Sequence, residues 1–276
     1  MKRNLIVIAI LSLFVIAGMA QAQDTKDDVH LFQNFFRDAG ITKMPYGEGG
    51  IIYSDYDAFS SFEIPLRGGY NVNEQIEVNA SIGYLSWSPE VGDGESGISD
   101  LYVGGRYNFV PGPTKISAGG YATLPIGEEK VGQEKLNFGA FGAVRHPLDN
   151  GMIITGTLGL DFIETVKYTS ASDDFDFDDF DPANFDPEDF ESSTEVKEET
   201  EYENSLILGA GAIYPMNEQL NIVGELVIKT EVDYMALSAG ADYKLEMGSR
   251  VRGALMLGLD DGAPDLAIMA SFLHFF

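Results

Sequence analysis

From residue 50 onward, apolar and polar residues alternate with a period of two, the pattern of strands with two unlike faces. Phe62, Ile64, Leu66, Gly68 and Tyr70 alternate with Glu63, Pro65, Arg67 and Gly69. Ile76, Val78, Ala80, Ile82 and Tyr84 alternate with Glu77, Asn79, Ser81 and Gly83. Leu101, Val103, Gly105, Tyr107 and Phe109 do the same against Tyr102, Gly104, Arg106 and Asn108. The pattern predicts further strands near 115–125, 134–146, 151–167, 204–215, 219–229, 234–245, 249–260 and 265–276. Ile51 to Phe59 is a weaker candidate for the first.

The connections alternate in length. Short turns are predicted at 71–75, 111–114, 147–151, 215–219 and 246–249. Mostly longer, more acidic connections fall at 88–97, 126–133, 168–203, 230–233 and 261–264. The last strand carries Leu266, Ile268, Ala270, Phe272, His274 and the terminal Phe276 on one face. Chain ends usually fray, but this one is patterned to lie in a sheet. An all-β fold follows: a closed antiparallel transmembrane β-barrel of about twelve strands, since even counts are the rule in bacterial outer membranes. With the C-terminus in the periplasm, every short turn lies there too. Tyr70, Tyr84, Trp87, Tyr107, Phe109, Tyr214, Phe272 and Phe276 fall near strand ends, where interfacial aromatic girdles form. A soluble β-sandwich also alternates, but its solvent face would be charged. Here the polar set is mostly Gly, Ser, Thr and Asn with scattered charges, which suits a lumen.

The N-terminus follows different rules. Lys2 and Arg3, the apolar run from Leu5 to Ala17, and Ala20-Gln21-Ala22 make residues 1–22 a signal peptide. Residues 23–49 form an N-terminal segment ahead of a barrel at 50–276. Within it Val29, Phe32 and Phe36 share a helical stripe with Leu31 and Phe35 beside it, so a short amphipathic helix is predicted over 28–37. Such a helix would plug the lumen, lie on the membrane or bind a partner.

The net charge is −27. It excludes nucleic acid as a partner, because phosphate binding needs clustered Lys and Arg. Fifteen carboxylates against Lys197 lie between Tyr168 and Glu203, making that loop acidic and extracellular. Phe175, Phe180, Phe185 and Phe190 recur through it. Asp174, Asp176 and Asp178 have alternate-carboxylate spacing, but Asp179 and Phe185 stand where a calcium loop needs Gly and Glu. Weak divalent-cation binding is the most this loop supports; no fixed metal site and no cofactor is expected. With no cysteine, disulfides and a lipoprotein anchor are excluded.

Of the three histidines, His30 precedes the barrel, His146 sits at a short turn and His274 near the end. All are expected on the periplasmic side, so no histidine-based triad forms at the outer rim, and no enzyme is expected. Taking the polar parity as inward places Glu63, Arg67, Glu77, Arg106, Arg145, Asp161, Glu225, Asp242, Lys244, Arg250 and Arg252 in the lumen. The five arginines lie near short turns and form a basic zone at the periplasmic end, with Glu63, Asp161 and Glu225 farther up. Two roles suit them: a salt-bridged network that holds a narrow barrel, or a constriction that selects solutes by charge.

Ser99-Asp100-Leu101-Tyr102-Val103-Gly104-Gly105-Arg106-Tyr107 resembles a strand of the outer-membrane proteins linked to the meta-pathway of phenol degradation. Leu66-Arg67-Gly68-Gly69-Tyr70 with Asn73-Glu74-Gln75-Ile76-Glu77, and Leu259-Asp260-Asp261-Gly262-Ala263-Pro264-Asp265, resemble its earlier hairpin and its ending. The likeness spans residues 50–276 apart from the acidic loop. It implies a porin-like channel or transporter in outer-membrane lipid, passing small, often hydrophobic molecules. The competing class is a non-transport surface barrel whose acidic loop binds an ion or partner.

Overall fold

The computed structural model describes residues 26–110, 112–132, 135–170, 196–245 and 248–276. The expected signal peptide, the Phe/Asp repeat and its candidate cation ligands lie outside them. Thirteen strands follow: β1 (Tyr46–Tyr56), β2 (Phe59–Asn71), β3 (Ile76–Pro89), β4 (Glu95–Ile98), β5 (Leu101–Asn108), β6 (Lys115–Leu124), β7 (Asn137–Pro147), β8 (Ile153–Ser170), β9 (Val196–Pro215), β10 (Leu220–Lys229), β11 (Tyr234–Lys244), β12 (Ser249–Gly258) and β13 (Leu266–Phe275).

They form one antiparallel sheet that closes on itself. The last strand pairs with the first, from Tyr46↔Phe275 to Asp55↔Leu266. The first strand therefore starts at Tyr46, ahead of the expected boundary at 50, because Phe275 and its neighbours are there to pair with it. Strand β3 pairs with β5 over its inner half and with β4 over its outer half. Between Ser81↔Tyr102 and Tyr84↔Ile98 one extra residue enters the β4–β5 side, which is a bulge at Ser99-Asp100. The two strands thus share one wall position, and the barrel has 12. The β8–β9 hairpin is the longest, with pairing continued out to Ser170↔Val196, inside the span expected to be loop.

The short turns lie at one end with the C-terminus and have a local chemical cause. Asn73 Oδ1 accepts the amides of Gln75 at 2.8 Å and Ile76 at 2.9 Å. Asn217 does the same for Gln219 at 2.9 Å and Leu220 at 2.8 Å, within a second Asn-Glu-Gln-aliphatic sequence. An Asn side chain that mimics the backbone holds such a turn tight.

The outer face is apolar on every side. Leu66, Phe272 and Leu255 are at least half exposed, and Ile51, Ile64, Val78, Leu158, Leu237, Val251 and Ile268 join them. Aromatics gather at both ends: Tyr70, Tyr107, Phe109, Tyr214, Tyr243 and Phe276 by the short turns, and Tyr53, Phe62, Tyr84, Phe138 and Tyr202 opposite. The buried clusters lie inside the ring. Inward aromatics cover glycines across the strand pair: Phe141 lies over Gly119 and Tyr121 over Gly139, where a Cβ would meet the ring at 2.5 Å in both cases.

Residues 26–44 fill the short-turn half of this interior. The helix expected over 28–37 is absent, and the segment is an irregular bent chain. In a helix its amides would bond carbonyls four residues back. Here the barrel wall supplies donors and acceptors for them instead.

Candidate functional site

The plug is held mainly through its main chain. Glu225, on β10, is fully buried and accepts three consecutive plug amides: Phe32 at 3.0 Å, Gln33 at 2.8 Å and Asn34 at 2.7 Å. Successive amides converging on one anion form a nest, and the anion here is the protein's own side chain. Three wall arginines take plug carbonyls, and a fourth takes a plug carboxylate. Arg145 donates to the carbonyls of Lys26 at 2.9 Å and Val29 at 3.0 Å, and pairs with Asp38. Arg252 donates to His30 at 2.6 Å and Leu31 at 3.2 Å, with Glu48 at 2.8 Å as its counter-ion. Arg106 donates to Phe36 at 3.3 Å and Asp38 at 2.8 Å, with Glu77 at 2.7 Å. Arg250 pairs with Asp242 on the wall and Asp28 on the plug. Thr157 and Asn108 cap the carbonyls of Arg37 at 2.7 Å and Ala39 at 3.2 Å.

A guanidinium has five donors and cannot lose its charge, so one residue can serve a wall carboxylate and plug carbonyls together. Side chains of Arg106, Arg145, Arg250 and Arg252 are at most 3 % exposed. A buried charge is tolerable only with this degree of pairing. Four of the five arginines of the basic zone, Arg106, Arg145, Arg250 and Arg252, are therefore taken up by the plug and the wall carboxylates.

Apolar contacts complete the seat. Val29, Leu31 and Phe32 pack on Ile153, Ile213 and Val223; Phe35 and Phe36 pack on Tyr46, Leu273 and Phe275. His30 stacks on Phe35 with centroids 4.4 Å apart. Burial first, then the charges of Arg252, Arg106, Arg145 and Arg250, hold its pKa well below the usual value of 6.5. His146 bonds Thr114 and His274 bonds Ser249, both near the short turns. The wall is thin where the plug presses. A Cβ on Gly209 would lie 2.5 Å from Asn34 Nδ2, and one on Gly240 would lie 2.6 Å from the Phe32 ring.

Toward the long loops the interior opens into two adjoining cavities of about 200 Å³ and about 360 Å³. Gln33, Arg37, Arg67 and Lys229 line both. Asp161 lines the larger and accepts the Tyr121 hydroxyl. Glu63 is half-buried on the same face of β2 as Arg67. Arg67 thus differs from the other four arginines, since it faces the cavities and is not paired with a carboxylate. Arg37 and Lys229 were not among the expected lumen residues. Lys229 had a signal, because it shares inward parity with Glu225. Arg37 had none, since its place depends on the plug path. Lys244 is exposed at the short-turn end. Among the described residues no cluster of His, Asp and Glu is arranged to hold a metal ion.

The sequence matches no protein-family model, and no curated protein matches it. Solved structures do match by shape. The COG4313 outer membrane channel from Pseudomonas putida F1 aligns with a TM-score of 0.62 at 13 % identity, over 87 % of this chain and 98 % of that one. The KdgM porin in complex with disordered oligogalacturonate aligns at 0.51 and 9 % identity, over 83 % and 99 %. The NanC porin aligns at 0.51 and 9 % identity, over 84 % and 99 %. At these identities the likeness establishes the barrel fold.

Proposed function

We propose that this chain is an outer-membrane channel for a small solute of apolar character, shut at rest by its own residues 26–44. The observation that carries this reading is an inside-out barrel: an apolar exterior around a lumen that holds a main-chain-bound plug. Large exposed apolar surface on a monomer calls for a partner phase. Phe62 and Tyr70 are eight residues apart on β2. At about 3.3 Å per residue and a tilt of about 40° they bracket about 20 Å of height, close to the roughly 25 Å apolar band of such barrels. The shape likeness to channels and porins supports the same reading, as does the motif likeness to the phenol meta-pathway group. The short turns and C-terminus face the periplasm. Arg67, Glu63 and Asp161 belong to the solute path, while Arg106, Arg145, Arg250, Arg252, Glu77 and Glu225 hold the plug. No catalytic role is assigned.

The absence of cysteine permits a clean test. A Cβ on Gly209 would lie 3.4 Å from Asn34 Cγ, one bond from Asn34 Cβ, which puts the two Cβ atoms at most about 5 Å apart, near the roughly 3.5–4.5 Å that a disulfide needs. Asn34→Cys with Gly209→Cys, oxidised, should suppress channel events in a planar bilayer, and reduction should restore them. Equal conductance in both states removes the plug from gating. Folded wild-type barrel that passes no current at any voltage, even when acidified to about pH 5, sinks the channel reading and favours the surface-anchor alternative.

A further inference from the structure

The two cavities share a polar end whose cations differ from the plug clamps. Arg106, Arg145, Arg250 and Arg252 each have a carboxylate oxygen within 2.8 Å. Arg37, Arg67 and Lys229 have no ion pair among the described residues. Each instead lies over an aromatic ring: Arg37 over Tyr121 at 5.7 Å, Arg67 over Phe35 at 5.1 Å, and Lys229 over Tyr234 at 5.2 Å. A ring face attracts a cation and fixes its position without neutralising it. Three basic side chains therefore converge where Gln33 adds an amide. Among the described residues the one carboxylate in the lining, Asp161, accepts the Tyr121 hydroxyl and attracts Arg37 and Lys229 without forming an ion pair with either.

The space beside this cluster has the opposite character. The smaller cavity continues from the cations onto Phe32, Val227, Ala254, Met256, Ala267 and Met269. Its volume of about 200 Å³ is below the roughly 300–1,000 Å³ of sites for drug-sized ligands. It suits a short apolar body with one charged head. Two of the polar contacts, Gln33 and Arg37, come from the plug, and two, Arg67 and Lys229, from the wall.

We propose that this vestibule is a binding site for a small amphipathic carboxylate, its head bridging Arg37 of the plug to Arg67 and Lys229 of the wall and its apolar body in the adjoining pocket. This deepens the channel reading by naming a solute class. It has a second consequence. The wall cations repel Arg37, so the occupant's negative charge strengthens the seating of the plug.

Calorimetric titration of the full-length barrel in neutral detergent tests the site without requiring conduction. Hexanoate is the probe, with hexanamide and acetate as controls for charge and body. Saturable hexanoate binding is expected, with both controls weaker by about tenfold or more, as loss of a charge-assisted contact implies. Lys229→Met and Arg67→Gln should each weaken hexanoate by about tenfold, and Lys229→Arg should retain it. On the wild type, added salt should weaken hexanoate and leave hexanamide unchanged, because screening acts on charge. This readout stands even where a variant does not fold. Hexanamide equal to hexanoate, acetate equal to hexanoate, binding indifferent to salt, or no saturable binding each overturns the site. A barrel that binds hexanoate but passes no current keeps the site and loses the channel. One that conducts without binding does the reverse.

Discussion

Arg106 and Arg67 sit on neighbouring stretches of one inner wall, yet they live in different chemical worlds. In the short-turn half, Arg106 is buried against Glu77 and two plug carbonyls. Four residues farther from the short turns along the wall, Arg67 rests on a ring and faces a cavity. Both are arginines of inward parity on strands of the same wall; the path of the plug main chain makes the difference. Inward charge on a barrel wall therefore has no fixed meaning. It is a plug clamp where a main chain fills the lumen and a solute contact where none does.

The sharpest way to break this contrast is Arg106→Ala. It leaves the buried Glu77 carboxylate without its cation, a change that costs about 3–5 kcal/mol. Amide exchange over residues 29–42 should accelerate, and a plug that stays protected contradicts the clamp. Acidification comes next. The lowered pKa of His30 means the seated plug resists a proton that the released plug accepts near pH 6.5. Seating is thus at full strength above about pH 6.5 and weakens by about 1.4 kcal/mol per unit as pH falls below it, until the seated pKa is reached. Channel open probability should rise as pH falls below about 6.5, by at most about tenfold per unit, and His30→Phe should remove the dependence. The smallest effect belongs to Arg67→Gln. Its stability change should stay below about 1 kcal/mol, while the reversal potential in a salt gradient shifts toward cations. A large loss of stability would place Arg67 with the clamps.

Much of the barrel was legible because its wall obeys a strictly local rule. Alternation in Phe62–Tyr70 or Leu266–Phe276 says which side chains share a face, and closure by the last strand follows from its pattern. Short β4 was not legible, since the Ser99-Asp100 bulge breaks the alternation that would have announced it. The plug failed for a deeper reason. Phe32 and Phe36 do anchor it, but helical spacing implies that the segment satisfies its own amides. Glu225, far away in sequence, satisfies them instead. No periodicity in residues 28–37 encodes a partner that remote. The same holds for Arg37, whose position depends on that irregular path.

The grip on His30 comes from Arg252, 222 residues later in the chain. During assembly the plug is thus made first and its last clamps arrive almost at the end, while β1 waits for β13 to close the seam. Contacts so distant form late, because their loops are entropically costly to close. The stretch from Val29 to Phe36 must therefore remain unsatisfied, apolar and exposed through most of the route, and whatever escorts this polypeptide to its destination has to shield that stretch until the final hairpin folds over it.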